Sequence, residues 1–344
     1  MKLSAIDIGS NSIHLVIAEA TPGQHLDIIE REKEMVRLGA GTLRLHRLTK
    51  ETIDRAIVAL RRYKELSESN HVDRIIATAT AAVREAHNSD EFIDRVRKEV
   101  GLHVHLLPGV EEARIIALAV SEVTDFEDRR ALIIDIGGGS TEFIITGGKE
   151  PDLLLSIRLG AVRLTEKFVT TDPISDTERA KLVANIRADL TRAIWEVKKT
   201  GYDFVIGTSG TVVNLVNAVA RAELGRDDEG ILVEPFNQTI TMAQLREMNR
   251  TLARMSLSER KKVPGLEKRR ADIIVAGGLL LETILTEVGA STITSCDWSL
   301  REGVILDYLY KHPEASYEPE PSMAVMISEP ETDGHPLLAD PDRA

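Results

Sequence analysis

"LSAIDIGSNSIHLVIA" (residues 3–18) and "ALIIDIGGGSTEFIIT" (residues 131–146) are two versions of one pattern. Each begins as an apolar strand, sets an aspartate between two isoleucines, turns through small residues and becomes apolar again. With Asp7 placed on Asp135, Ile6, Asp7, Ile8, Gly9 and Ser12 are identical to Ile134, Asp135, Ile136, Gly137 and Ser140. Leu15, Val16 and Ile17 match Phe143, Ile144 and Ile145 in character. The offset of 128 residues far exceeds the roughly 20–50 residues of a solenoid unit. It predicts a duplicated domain, each copy opening with strand, glycine turn and strand.

Aspartate is a poor strand residue, so its recurrence at equivalent positions points to function. Glycine permits unusual backbone angles and close approach of a ligand. Successive N–H groups in such a turn make an anion-binding concavity. An aspartate at the strand end can hold a divalent cation that neutralises phosphate charge. "YDFVIGTSGTVVNLVNAVA" (202–220) reads as strand, small-residue loop and helix, a third candidate phosphate loop whose helix N-terminus suits an anion.

A length of 344 residues fits about two domains at roughly 100–200 residues each, and the repeat sets their bounds at 1–128 and 129–312. Residues 313–344 hold eight acids and one arginine, −7 of the chain's net −12. This proline-rich, aperiodic segment reads as a disordered acidic tail. The negative total argues against binding a nucleic-acid polymer. No apolar run approaches the ~20 residues of a membrane span, and the N-terminus lacks the pattern of a secretory signal. The single cysteine, Cys296, excludes an internal disulfide and a cysteine-rich metal site. The expectation is a cytoplasmic protein.

Between the copies, residues 74–86 read as a strand running into a short helix or loop. Residues 88–100 read as an amphipathic helix capped by Asn88 or Ser89. Residues 110–123 have helical periodicity and open on Glu111 and Glu112. Ser175 and Glu178 form a capping box for a long helix reaching about Lys199. Residues 271–289 read as a buried helix in which Gly277 and Gly278 mark close packing. A last strand, a turn and a closing helix follow.

Seven ordered stretches carry a resemblance: "AIDIGSNSIHLVIAE", "ATAAVREAHNSDEF", "EEAR", "IDIGGGSTEF", "LGAVRLTEKF", "GTSGT" and "CDWSLREGVILD". Together the chain resembles the exopolyphosphatase/guanosine pentaphosphate phosphatase family, in its short two-domain form, within the actin-like, sugar-kinase and heat-shock-protein superfamily. The resemblance implies an α/β fold of duplicated ribonuclease-H-like (actin-like ATPase) domains, with mixed sheets flanked by helices and the active site in the interdomain cleft. It implies hydrolysis of a terminal phosphoanhydride with release of orthophosphate, dependence on Mg²⁺ with Mn²⁺ as an alternative, and a homodimer. It also implies that Glu112 is the catalytic base and that Glu142 is catalytic. Ser12, Ile13 and His14 stand where the family often has Ser-Phe-Arg or similar.

Phosphoanhydride hydrolysis needs a placed water, charge neutralisation and in-line geometry. Glu112 would deprotonate the water. Asp7 and Asp135 would position the metal, and Glu142 would join its shell or orient the nucleophile. Backbone N–H groups of Gly9, Ser10, Asn11 and Ser12, of Gly137, Gly138, Gly139, Ser140 and Thr141, and of Gly207, Thr208, Ser209, Gly210 and Thr211 would hold phosphate oxygens. Arg84 would offer its guanidinium to the terminal phosphate. In "SERKKVPGLEKRR" (258–270) six basic residues face two glutamates. Arg270 is the direct phosphate contact expected there, and Lys261, Lys262, Lys268 and Arg269 would steer a polyanion. Polyphosphate and guanosine pentaphosphate both fit as substrates. An ATP-dependent small-molecule kinase, with "VAGGLLLE" as its adenosine loop, and a non-catalytic alarmone sensor are the other readings.

Overall fold

The computed structural model describes residues 1–21, 26–148, 150–224 and 237–313. The expected tail, beyond Pro313, lies outside them. The first half runs β1 (Lys2–Ile8), β2 (Ile13–Glu19), β3 (Asp27–Glu34), α1 (Thr42–Leu45), α2 (Lys50–Ser69), β4 (Arg74–Ala79), α3 (Ala81–Arg84), α4 (Ser89–Glu99), β5 (Val104–Leu106) and α5 (Gly109–Glu122). The second runs β6 (Ala131–Ile136), β7 (Thr141–Thr146), β8 (Pro151–Ile157), α6 (Ala161–Phe168), α7 (Asp176–Thr200), β9 (Phe204–Thr208) and α8 (Ser209–Leu224). It closes with β10 (Thr239–Thr241), α9 (Met242–Arg254), α10 (Leu257–Arg260), α11 (Ile274–Val288), β11 (Thr292–Ser295) and α12 (Leu300–Lys311).

The duplication is visible in the sheets. The first has the order β3-β2-β1-β4-β5, and the second, read from β8, has β8-β7-β6-β9-β11 with β10 added at its edge. In both, the hairpin pairings are antiparallel and the inner crossover pairings β1–β4 and β6–β9 are parallel. The expected α/β architecture of two mixed sheets flanked by helices is therefore present.

Strand alternation sorts the side chains. Ile6, Ile8, Ile13, Leu15 and Ile17 face outward onto α2 and α4, burying Leu60, Tyr63 and Phe92. Leu132, Ile134, Ile136, Phe143 and Ile145 do the same against α7, α8 and α11. The opposite faces of both sheets share one core: Leu3, Ala5 and Val16 from one and Ala131, Ile133 and Ile144 from the other meet Ile116 of α5 and Val304 of α12. Helices α5 and α12 thus form a middle layer, and α12 returns from the end of the second half to lie against β1 and β2. Asp7 and Asp135 continue the inward series 3-5-7 and 131-133-135, so alternation alone aims both at this layer. The outward residues Ile6, Ile8, Ile134 and Ile136 anchor the strands that carry them.

Local signals mostly act as expected. Ser175 and Glu178 form the reciprocal capping box of α7. Helix α11 is almost wholly buried, and Cβ atoms at Gly277 and Gly278 would come within 2.5 Å of Thr211 Cγ2 and 2.2 Å of Asn249 Oδ1. Asn88 differs. It stands at the N-cap of α4 without a side-chain capping bond, because its amide accepts from Leu48 N–H and donates to Leu48 O, tying two segments together.

Candidate active site

Each glycine turn is closed by the same bond: Gly9 N–H donates to Ser12 O (3.1 Å) and Gly137 N–H to Ser140 O (3.0 Å). The turns touch, since a Cβ on Gly138 would lie 3.0 Å from Ser10 Cβ and 3.4 Å from Asn11 N. Their carbonyls are tied from behind. Asn11 O accepts from Arg37 N–H and Ser10 O from Gly39 N–H; Gly137 O and Gly138 O accept from Ala161 and Val162 at the start of α6. Among the described residues the N–H groups of Ser10, Asn11, Gly138 and Gly139 donate to no protein acceptor, which leaves them for a ligand.

The turns line a cavity of about 80 Å³, whose wall also holds Asp7, His14, Glu112, Asp135, Ser209, Arg270 and Ser299. On this measure one water needs about 10–15 Å³ and drug-sized ligand sites run to roughly 300–1,000 Å³, so this space suits a small anion such as one phosphate group rather than a whole nucleotide. Glu112 lies in the first turn of α5. Its Oε2 accepts from Arg84 Nη1 at 2.9 Å, and the same nitrogen donates to Leu107 O at 2.7 Å. Arg84 therefore fixes Glu112 and, unlike the open fork expected from sequence, is not on the cavity wall. Glu142 faces Asp135 across the β6–β7 hairpin. It is buried just behind the wall and accepts from Ser156 Oγ at 2.8 Å.

His14 occupies, opposite Asp7 in the first hairpin, the place that Glu142 holds opposite Asp135 in the second. Its Nδ1 faces Arg301 Nη1 at 3.3 Å. A guanidinium only donates, so Nε2 carries the proton and gives it to Ser12 Oγ, 2.7 Å away. Burial and the Arg301 charge hold His14 well below the usual imidazole range, and the ring is neutral.

The third predicted loop is a strand end and a helix start. Gly207 and Thr208 sit in β9, where Gly207 pairs with Ile134 and Thr208 with Asp135. Thr211 packs on Gly277. Gly210 carries the Arg270 guanidinium, 2.1 Å from where its Cβ would be. Ser209, at φ 71°, is the part of this stretch on the cavity wall. The basic stretch also divides: Arg260 is a buried strut to Asp172, Ala271 O and Met255 O. Arg270 is buried beside the cavity and paired with Glu267. Lys261, Lys262, Lys268 and Arg269 are exposed.

Ser299, Arg301, Ser156 and Thr80 were not singled out from sequence. Thr80 had a signal. Ile76, Thr78 and Val83 match Ile206, Thr208 and Val213 at a constant spacing of 130 residues, and Thr78 pairs with Asp7 as Thr208 pairs with Asp135. The β4–α3 junction is thus the counterpart of the β9–α8 junction.

Crowding of acids dominates the electrostatics. Burial pushes Asp7 up to about 7, against the pull of Arg301 and with Asp135 adding to the rise. Burial likewise takes Glu112 to about 7, with Arg84 opposing, and Asp135 to about 6, with Ser299 and Ser209 opposing. Glu142 is raised well above its ordinary value by burial and then by Glu112 and Asp135. Asp7 Oδ1 is buried with no hydrogen-bond partner. An orphaned carboxylate oxygen among acids that resist ionisation fits a site completed by a cation. Among the described residues no three His, Cys, Asp or Glu converge as a metal cage.

A model of the Ppx/GppA phosphatase family matches residues 16–312. Exopolyphosphatase 1 of Mycobacterium leprae is 33% identical over 307 residues, 89% of each chain. The crystal structure of an exopolyphosphatase from Cytophaga hutchinsonii superposes with a TM-score of 0.83 at 29% identity, covering 90% of this chain and 98% of that one. The Aquifex aeolicus member of the Ppx/GppA family gives 0.73 at 30% identity, over 91% and 98%.

Proposed function

Because the chain belongs to the Ppx/GppA phosphatase family, we propose that it is an exopolyphosphatase, transferring the terminal phosphoryl group of inorganic polyphosphate to water and releasing orthophosphate. The observation that carries this reading is Glu112, fixed by Arg84 and facing two touching glycine turns in a cavity sized for one phosphate. The N–H groups of the turns bind the oxygens of the terminal phosphate, with Arg270 supplying positive charge. Glu112 takes a proton from a water as that water's oxygen bonds to the terminal phosphorus and the bridging P–O bond breaks. The leaving phosphate chain keeps the bond's electron pair.

Asp7 and Asp135 would hold Mg²⁺, or Mn²⁺, which when bound neutralises charge on the phosphate oxygens. Glu142 shares that task or orients the water from behind. Ser299 fixes the Asp135 carboxylate, and His14 fixes Ser12. We further propose a homodimer, which is what the family resemblance implies. The kinase reading loses its nucleotide loop, since Gly277 and Gly278 are packed inside α11. No helix among the described residues is long and apolar enough to cross a membrane.

Phosphate release with Mg²⁺ from polyphosphate, guanosine pentaphosphate and ATP tests the proposal. A kcat/KM highest on polyphosphate is expected. A preference for guanosine pentaphosphate would move the assignment to the other phosphoanhydride, and release from none would overturn it.

A further inference from the structure

A second cavity, of about 270 Å³, opens at the junction of the halves, with Arg44 of α1 on one side and Arg158, Arg163 and Lys167 around α6 on the other. A single backbone turn separates it from the catalytic cleft: Arg163 Nε donates to Gly139 O at 3.1 Å, and Gly139 is on the cleft wall. Two carboxylates also line it, and both are engaged. Glu166 accepts from Gly41 N–H at 2.7 Å, holding α1 against α6, and Asp189 accepts from Asn185 at 2.7 Å. Arg163 is committed to Glu85, with both carboxylate oxygens at 2.8 Å.

Two arginines remain available. Arg44 makes no ion pair with any described residue. Arg158 has its nearest carboxylate, Glu85, at 3.9 Å, and its side chain is 77% exposed. A guanidinium is a planar fork matched to phosphate oxygens. Two such forks facing one cavity, with Lys167 on its wall and bonded to Asn185 Oδ1 at 3.0 Å, suit a ligand that carries an anionic group on each of several successive units. A phosphate-sized cleft one turn away supplies the anchor for its end.

We propose that this cavity is a second anion subsite, seating inner phosphates of a polyphosphate chain whose terminal phosphate lies in the cleft, and that it sets the preference for chain length. The inference rests on the reading of the cleft as a terminal-phosphate site. Neither Arg44 nor Arg158 touches the glycine turns or Glu112, so their loss leaves chemistry intact and weakens only the hold on a chain long enough to reach them.

The test compares the parent with Arg44→Ala/Arg158→Ala on long-chain polyphosphate and on tripolyphosphate at physiological salt. Exposed charge contacts are individually weak, so the loss of two should raise KM for the long chain roughly two- to thirtyfold, with kcat unchanged and tripolyphosphate kinetics within twofold. Arg44→Glu/Arg158→Glu should raise it further. Equal KM values for parent and variant on the long chain, or equal losses on both lengths, overturn the subsite. Titration of long-chain polyphosphate into both proteins in a Glu112→Gln background reads the same difference as Kd, independently of turnover. A parent that binds the long chain more tightly than the double variant but releases no phosphate would uphold the subsite and sink the hydrolase reading.

Discussion

Ser299 Oγ donates to Asp135 Oδ2 at 2.8 Å across 164 residues of chain, joining the N-cap of α12 to the strand-end aspartate of the second half. The same cap is closed by Glu302, whose Oε2 accepts from Ser299 N–H. Two residues along from Ser299, Arg301 reaches His14 in the first half. The start of α12 therefore touches both hairpins, and the middle helix layer is what holds them in register.

Ser299→Ala removes this bond and leaves the bond from Ser299 N–H to Glu302 at the helix start in place. Partners of metal-holding groups typically contribute 10–100-fold in metal affinity or activity, so the Mg²⁺ concentration for half-maximal rate should rise roughly tenfold. Ser299→Thr, which keeps the hydroxyl, should restore it. An unchanged Mg²⁺ titration in the alanine variant would leave the hydroxyl without a part in the metal site.

Glu112→Gln is nearly isosteric and removes only the base. Turnover should fall about 10²–10⁴-fold, with binding of the phosphate chain largely retained. A variant with parent-like folding and a rate within a few-fold of the parent would give the proton-accepting role to another group.

The carboxylates predict how the metal-free protein responds to pH. Asp7 at about 7, Glu112 at about 7 and Asp135 at about 6 all lie above their ordinary values of 3.8, 4.5 and 3.8. Between pH 4 and 7 the folded state therefore binds more protons than the unfolded one, and stability falls as pH rises. Thermal denaturation in chelator should show a lower Tm at pH 7.5 than at pH 5. Mg²⁺ should raise Tm more at pH 7.5, where the carboxylates ionise to receive it. A chelated protein more stable at pH 7.5, with no Mg²⁺ effect, would contradict a cation site among these acids.

Gly160 joins β8 to α6, and a Cβ there would sit 2.5 Å from the backbone of Gly138 and 2.7 Å from Gly139 N. These neighbours are backbone and cannot rotate away. Gly160→Ala should push the second glycine turn out of place, costing about 1–3 kcal/mol by overpacking and raising KM. Parent-like KM and Tm would mean that the turn yields more easily than its contacts imply.

The hairpins were legible because their information is local. The Asp7 and Asp135 repeat, glycine spacing and strand alternation specify the turns and the inward direction of both acids. Glu112 came from the family resemblance; residue type alone reads it as an ordinary acid at a helix start. The role of Arg84 beside Glu112 was hidden because it depends on how far α3 lies from α5, which no spacing in the chain encodes. Ser299 was hidden for the same reason, being brought to Asp135 by a helix that crosses to the other half. In the "GTSGT" stretch small residues serve two purposes: in β9 and α8, Gly207 and Gly210 make room for Val212, Ile293 and Arg270, while Ser209 reaches the cavity wall.

The remaining basic residues lead to the last prediction. Lys261 and Lys262 are exposed at the end of α10, while Arg260 beside them is a buried strut and Arg270 is beside the cavity. A polyanion approaching a protein of net charge −12 meets an unfavourable field, and local positive charge raises on-rates by roughly 10–10³-fold where it steers the encounter. Exposed lysines without a fixed seat act in this way and not as a binding pocket. Lys261→Ala/Lys262→Ala should raise KM for long polyphosphate at low ionic strength, more than for a nucleotide, with little change in kcat. The effect should fade near physiological salt, where screening acts over about 8 Å. This salt dependence separates it from the cavity beside α6, whose effect is expected to persist there. A double-lysine variant that matches the parent at low salt on long polyphosphate would leave the pair as ordinary solvated surface.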